Sequence, residues 1–450
     1  MTRSSTLTES DLREILDTLN RANAEFLARY PGESNRRQPV HTVYGGAHLF
    51  KSDTARRLGK LALRSLENYA HDAPALAEIL GMEDRELAKT IFHRIVEKLE
   101  REPTEDFRLD FEDGYGNRED EEEDGHAASS AAEVARGFEA RTLPPFIGIR
   151  IKPLNADLHL RAIRTLDIFI STLASQTGNR LPENFVITVP KVQIPEQVTA
   201  AVRVFGCLEK RTGLPSGSLK IELMLETPQA IIDERGVCTL PSLIRAADGR
   251  CGSVHFGVYD YTAERNITAS CQSMPHPACD FAREVMAVTL AGTGVHLSDG
   301  ATNILPIGPH RATPGAPLTN EQKKTNFETV HRAWKLAYDD TMHSLRNGIY
   351  QGWDLHPAQF VARYAAVYSF FLSGLKSASE RLRAFVEKAA LASMHGDVFD
   401  DAATGQGLLN YFLRGMSCGA ITEDEALNCG LTREEIQTRS FLKILLERGK

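Results

Sequence analysis

Short apolar runs alternate with longer amphipathic stretches from His41 to about Leu355. The runs are H-T-V-Y (His41–Tyr44), F-R-L-D-F-E (Phe107–Glu112), F-I-G-I-R-I-K (Phe146–Lys152), F-V-I-T-V-P-K (Phe185–Lys191), L-K-I-E-L-M-L-E (Leu219–Glu226), G-S-V-H-F-G-V (Gly252–Val258), V-H-L-S (Val295–Ser298) and G-I-Y-Q-G-W-D-L (Gly348–Leu355). They are rich in β-formers and too brief for buried helices, so they predict interior strands. Helix-like segments separate most of them. Thr54–Ala70, Pro74–Leu80 and Asp84–Glu102 predict three helices before the second strand, with Pro74 suited to a first turn and Gly81 to a stop. Eight β/α units in series predict a (β/α)8 TIM barrel. A doubly wound open sheet is the alternative, but Y-G-G-A-H-L-F after the first strand lacks the G-x-G-x-x-G dinucleotide turn.

The barrel is expected over 41–375, with insertions near 114–132 and 299–346. The run N-R-E-D-E-E-E-D-G-H in the first insertion is expected as a solvated acidic loop. The second begins Pro/Gly-rich, near Asn303–Pro317, and leads into a helix over Thr319–Leu345. Residues 1–40 form an N-terminal helical extension, in which Leu12, Ile15, Leu16, Leu19 and Phe26 recur at helical spacing between Thr8 and Tyr30. Residues 376–450 form a C-terminal helical extension. Beyond His356 the expected helices are Pro357–Leu375, Ala378–Met394, Leu408–Leu413 and a stretch from Glu423.

Composition narrows the class without naming it. The chain has 450 residues, 42% hydrophobic and 25% charged, with a formal net charge of −8. That balance argues against broad nucleic-acid or anionic-membrane binding. No apolar stretch nears the ~20 residues of a membrane span. The start M-T-R-S-S-T-L-T-E-S-D-L-R has no apolar core for export. Seven scattered cysteines, none in a C-x-x-C pair, fit reduced thiols and a cytoplasmic protein. Cys271 and Cys279 are given no metal role.

Two acids change this bland picture. Glu226 closes I-E-L-M-L-E and Asp260 closes V-H-F-G-V-Y-D. Carboxyl ends of parallel strands are where α/β barrels build active sites. Two such carboxylates on successive strands can reach one hard divalent cation and leave coordination positions open to substrate oxygens. Arg150 ends another strand, and its permanent charge suits a developing enolate or a carboxylate. Each has a structural reading as well: Glu226 and Asp260 as helix caps, Arg150 as an ion-pair partner of Asp110.

In order, L-D-F-E-D (Leu109–Asp113), Ala135–Arg136, I-G-I-R-I, V-P-K, L-E-T and F-G-x-x-D resemble the HpcH/HpaI aldolase and citrate lyase β-subunit superfamily. G-W-D-L-H-P-A-Q (Gly352–Gln359) is similar to its late I-H-P-x-Q segment. The resemblance implies a (β/α)8 barrel, Mg2+ (or Mn2+), a homo-oligomer, and cleavage or formation of C–C bonds in malyl-CoA-type thioesters, citryl groups or hydroxy-oxo acids. It matches Glu226 and Asp260 to the metal ligands and Arg150 to the substrate- and enolate-holding arginine. It matches Glu112 and Asp113 to the acidic pair after the second strand. The pyruvate-aldolase branch carries a proton-transferring histidine where Asp113 stands, so this chain looks closer to the citrate-lyase branch. Enzymes of that branch often complete the site with a C-terminal aspartate, for which Asp354, Asp397 and Asp400 are candidates.

Other residues enter as the pocket wall. Gly45 and Gly46 put backbone N–H groups at the first strand's end, and His48 follows them. Lys191 could in principle form a Schiff base, but the metal-type acids make that redundant, so it is assigned to structure or substrate steering. Asp299 is expected to shape the wall and His356 to approach substrate. The sequence-based reading is a Mg2+-dependent lyase of a small oxo or hydroxy acid or acyl-CoA, with no nucleic-acid or membrane partner. A malate-synthase-like condensation of acyl-CoA with glyoxylate, and a non-catalytic sensing or scaffolding barrel, are the rivals.

Overall fold

The computed structural model describes residues 6–32, 36–314, 316–387, 393–395, 398–400 and 402–448. Eight strands form one sheet: β1 (His41–Gly46), β2 (Asp106–Asp110), β3 (Phe146–Arg150), β4 (Phe185–Val189), β5 (Lys220–Leu225), β6 (Cys251–Phe256), β7 (His296–Ala301) and β8 (Gln351–Asp354). Each pairs in parallel with the next, and β8 pairs with β1, so the sheet closes into a barrel. The TIM-barrel expectation holds, and the open sheet is excluded. Ile147, Ile149, Ile187, Val189, Ile221, Leu223, Val254 and Phe256 are all fully buried, which is why each strand is a short, nearly unbroken apolar run.

Helices surround this sheet. An N-terminal helix, α1 (Glu9–Arg29), precedes it. Three helices, α2 (Thr54–Tyr69), α3 (Ala73–Leu80) and α4 (Arg85–Arg101), connect β1 to β2. The next crossovers use α5 (Asp120–Ala140), α6 (His159–Thr177) and α7 (Pro195–Thr212). Then come α8 (Pro228–Ile231) and α9 (Leu240–Ala246), followed by α10 (Val258–Glu264) and α11 (Pro277–Leu290). After β7, α12 (Asn320–Arg346) leads to β8. Beyond it lie α13 (Phe360–Glu387), α14 (Ala402–Ser417), α15 (Glu423–Leu427), α16 (Arg433–Thr438) and α17 (Phe441–Arg448). No helix of the described residues is long and apolar enough to cross a membrane.

Two expectations fail here. The acidic run is no loop: Asp120–Glu123 make the first turn of α5, where carboxylates complement the helix dipole. Glu123 is buried there and accepts from Lys152 Nζ at 2.6 Å and Thr165 Oγ1 at 2.5 Å. The two helices expected after His356 are one, α13, because Phe360–Ser369 are all buried and anchor a helix that runs on past Gly374.

The amino-terminal half of the barrel interior is ionic. Arg108 bonds Glu222 (Nη2–Oε2 3.0 Å) and contacts Asp106. Glu222 also accepts from Thr188 and Ser253 at 2.6 Å each, and Thr42 bonds Asp106 at 2.8 Å. Pairing on every side is what makes buried charge tolerable. Above this layer stands Tyr44, held against Trp353 with ring centroids 4.7 Å apart. A cavity of about 130 Å³ opens below it, at the amino-terminal mouth, and holds none of the strand-end acids.

Candidate active site

At the other mouth, β2 and β3 end side by side, with Asp110 paired to Arg150 in the sheet register. Their side chains lock together: Arg150 Nε and Nη2 donate to the two Asp110 oxygens at 2.7 and 2.5 Å. Asp110 also accepts the Glu112 and Gly114 amides, at 2.9 and 2.7 Å, so it folds the β2 loop around itself. Burial raises the Asp110 carboxyl, but Arg150 and these amides outweigh it and hold it below the ordinary range. The ion pair that the sequence allows between Arg150 and Asp110 therefore exists.

That pairing orients the rest of the guanidinium. Its carbon lies 4.7 Å from the centroid of the Tyr44 ring. Nη1 lies 2.9 Å from Glu112 Oε2 but out of line for a hydrogen bond, and 3.7 Å from Met224 Sδ. One N–H edge of Arg150 is thus left without a well-formed bond to a protein oxygen. Sequence reasoning missed Tyr44 and Met224; both are interior strand residues, and only closure of the barrel brings them beneath Arg150.

The strand-end acids gather about Lys191. Its ammonium contacts Glu112, and stands 3.1 Å from Asp113 and 3.6 Å from Asp260. Its backbone N–H donates to Glu226 Oε1 at 2.8 Å. Lys191 takes φ +50, so the turn after β4 is left-handed. Burial would lower its pKa, but Glu226, Glu112 and Asp260 raise it above the ordinary lysine value. A Schiff-base lysine needs the opposite.

Glu226 is 1% exposed. Burial first, then Asp260 and Glu112, push its carboxyl up to about 8. It does not cap α8; Thr227 does, accepting the Ala230 amide. Glu226 lies against the end of β6, where a Cβ on Gly257 would fall 2.4 Å from Glu226 Oε2. Gly257→Ala is accordingly expected to displace the carboxylate and cost about 1–3 kcal/mol, read as a lowered melting temperature. Asp260 sits in the first turn of α10, with its side chain 41% exposed. Burial, partly offset by Arg150 and Lys191, raises Glu112 as well. Asp113 is at the rim, 63% exposed.

Arg150, Glu112, Asp113, Lys191, Glu226 and Asp260 are therefore brought together. Others are not. Asp299 points outward from β7: both oxygens face Arg283 Nε, at 2.8 and 2.9 Å, and one accepts from Ser344 Oγ at 2.6 Å. It ties β7 to α11 and α12 rather than lining the pocket. His356 starts the turn after β8, its Nδ1 accepting the Ala358 amide at 3.2 Å. Asp354 also faces the helices, bonded to His41 Nδ1 at 2.6 Å and to Arg363. Asp397 lies outside the described residues, as does the side chain of Asp400. Gly45 and Gly46 have a packing reason: a Cβ would fall 2.7 Å from the Phe107 ring in one case and 2.7 Å from Gly114 O in the other. All seven cysteines are free thiols.

Comparison with known proteins agrees with this architecture. The chain is 29% identical over 191 residues to the L-malyl-CoA/beta-methylmalyl-CoA lyase of Haloarcula marismortui, a match covering 42% of this chain and 47% of that one. It thus spans about half the length of the curated relative it matches. A solved citrate lyase of Burkholderia xenovorans LB400 aligns with a TM-score of 0.57 at 16% identity, covering 88% of this chain and 97% of that one. At that identity the likeness is one of fold. The malate synthase of Haloferax volcanii aligns at TM-score 0.45 and 14% identity, over 79% of this chain and 86% of that one.

The closed eight-stranded sheet and the likeness to the citrate lyase fix the fold as a (β/α)8 TIM barrel. Within that class, the chain belongs to the family described as a domain of unknown function (DUF6986), whose model matches residues 19–444.

Proposed function

We propose that this protein is a divalent-metal-dependent carbon–carbon lyase that works through an enolate on a hydroxy or oxo acid or its coenzyme A thioester. The observation that carries the reading is the gathering of four carboxylates about Lys191, with Glu112, Asp113 and Asp260 at its ammonium and Glu226 at its backbone N–H, beside an arginine whose Nη1 edge has no well-formed bond to a protein oxygen.

The donor set fits a hard cation, since it offers carboxylate oxygens from separate strand ends. Among the described residues no three His, Cys, Asp or Glu side chains already form a metal cage. Glu226 and Asp260 would supply two anionic ligands and leave other positions to water and substrate. The surplus negative charge is written into Glu226, whose proton is held to about pH 8. A bound Mg2+ or Mn2+ would supply Lewis-acid polarisation of a substrate carbonyl.

The chain's own residues do the remaining work. Asp110 and Tyr44 fix the guanidinium of Arg150, so its Nη1 edge can stabilise the enolate oxygen without reorganising. The Glu112–Asp113 pair carries the proton: burial keeps Glu112 protonated at higher pH than a free glutamate, and Asp113 stands open to water. Lys191 keeps both carboxylates in place and offsets part of their charge.

The test is a screen of oxo acids, hydroxy acids and CoA thioesters for turnover with Mg2+ or Mn2+, repeated with chelator. Turnover that survives chelation would exclude the proposal. Thiol release in that screen would favour condensation over cleavage.

A stability measurement checks the electrostatics separately. Glu226 is raised from 4.5 to about 8 in the fold. The folded state therefore binds the extra proton between those values, and stability is lost as pH climbs through that window. The metal-free protein is expected to melt lower at about pH 9 than at about pH 5, and a divalent ion to recover part of the difference at the higher pH. A metal-free protein equally stable at both would contradict the placement of Glu226.

A further inference from the structure

The N-terminal helix stands apart from everything described so far. Thr8 caps α1 with a reciprocal box, its hydroxyl accepting the Asp11 amide while Asp11 accepts the Thr8 amide. The chain rejoins the fold at Gly32, whose N–H donates to Gly292 O at 2.8 Å. That contact lies in the turn between α11 and β7, at the amino-terminal mouth, opposite the acids. Along α1 the large side chains face solvent: Ile15 is 62% exposed, Leu19 50% and Phe26 60%.

Helices in proteins are held mainly by packing of an apolar face rather than by intrinsic propensity. Here that face is present and uncovered among the described residues. Its spacing is informative. Leu12, Ile15, Leu19, Ala22 and Phe26 alternate by three and four, the a/d seam of a coiled coil. Arg29 falls on the next seam position. In a parallel pair of such helices, two Arg29 guanidinium groups would meet on the seam. In an antiparallel pair, Ile15 meets Phe26, Leu19 meets Ala22, and Arg29 reaches the start of its neighbour beside Asp11. Charge and size match in that arrangement and clash in the other. Asp11, Glu14 and Asp17 against one Arg13 make the first half acidic, which suits an anionic lipid surface poorly.

We propose that α1 is an association arm, and that its occupant is α1 of a second copy of this chain, packed antiparallel about a two-fold axis. The arm sits at the barrel end away from the acids, so it stands or falls independently of the lyase reading.

Sedimentation velocity of the full chain over a dilution series tests it. Wild type is expected to sediment as a dimer or a multiple of one, and Ile15→Asp/Leu19→Asp to halve that mass. The barrel's melting temperature should hold. A polar-face control, Asp17→Ala/Arg21→Ala, is expected to keep the wild-type mass. A monomeric wild type, a mass unmoved by the seam variant, or a control that also halves the mass would overturn the proposal. Monomers that co-sediment with phosphatidylserine vesicles would overturn it too and assign the face to membrane.

Discussion

Arg150→Met is expected to cost about 3–5 kcal/mol of folding stability and to abolish turnover. Asp110 is fully buried and loses both of its charge-assisted bonds when the guanidinium goes. An uncompensated buried carboxylate is among the most damaging changes a fold can suffer. The β2 loop follows, because the same carboxylate holds the Glu112 and Gly114 amides. Arg150→Lys keeps the charge and separates the two roles. A lysine's single ammonium lacks the planar fork that bonds both Asp110 oxygens along one edge while aiming another edge at substrate. It should lose less stability but still slow turnover by roughly 100-fold. Chemical denaturation of both variants, with turnover measured beside it, checks the pair of effects. An Arg150→Met protein as stable as wild type would contradict the geometry.

Glu226→Gln should act in opposite directions on stability and function. An amide carries no charge to bury, so the variant is expected to melt at or above wild type at about pH 8 and to lose the pH dependence described above. Divalent-ion affinity and turnover are expected to fall by at least about 100-fold, since even indirect supports of metal ligands cost up to that much. A side chain whose removal stabilises the fold and removes activity is held for function. Retained, chelator-resistant turnover in Glu226→Gln would remove the chemical basis of the proposal.

The fold was largely legible because buried parallel strands leave a plain mark: short β-rich runs such as Phe185–Val189 at regular intervals. The assembly of the strand-end acids was legible for the same reason, as the ends of those runs mark the mouth. What failed was direction. Asp299 and Asp354 close apolar runs as Glu226 does, yet both point at helices. Side chains alternate across a strand, so one residue of register decides between pocket and helix layer. Near Asp299 the β7–β8 pairing shifts register, which periodicity alone cannot foresee. The acidic run that opens α5 was misread because solvation and helix-dipole stabilisation favour the same residues. The place of Lys191 among four carboxylates has no local sequence signal; it depends on β2, β4, β5 and β6 meeting at one mouth.

The most direct measurement is anomalous diffraction from crystals soaked in Mn2+. The account predicts a peak within about 2.3 Å of carboxylate oxygens of both Glu226 and Asp260, with the Nη1 edge of Arg150 facing the same space. A strong peak elsewhere on the protein, or none at this mouth, would contradict it.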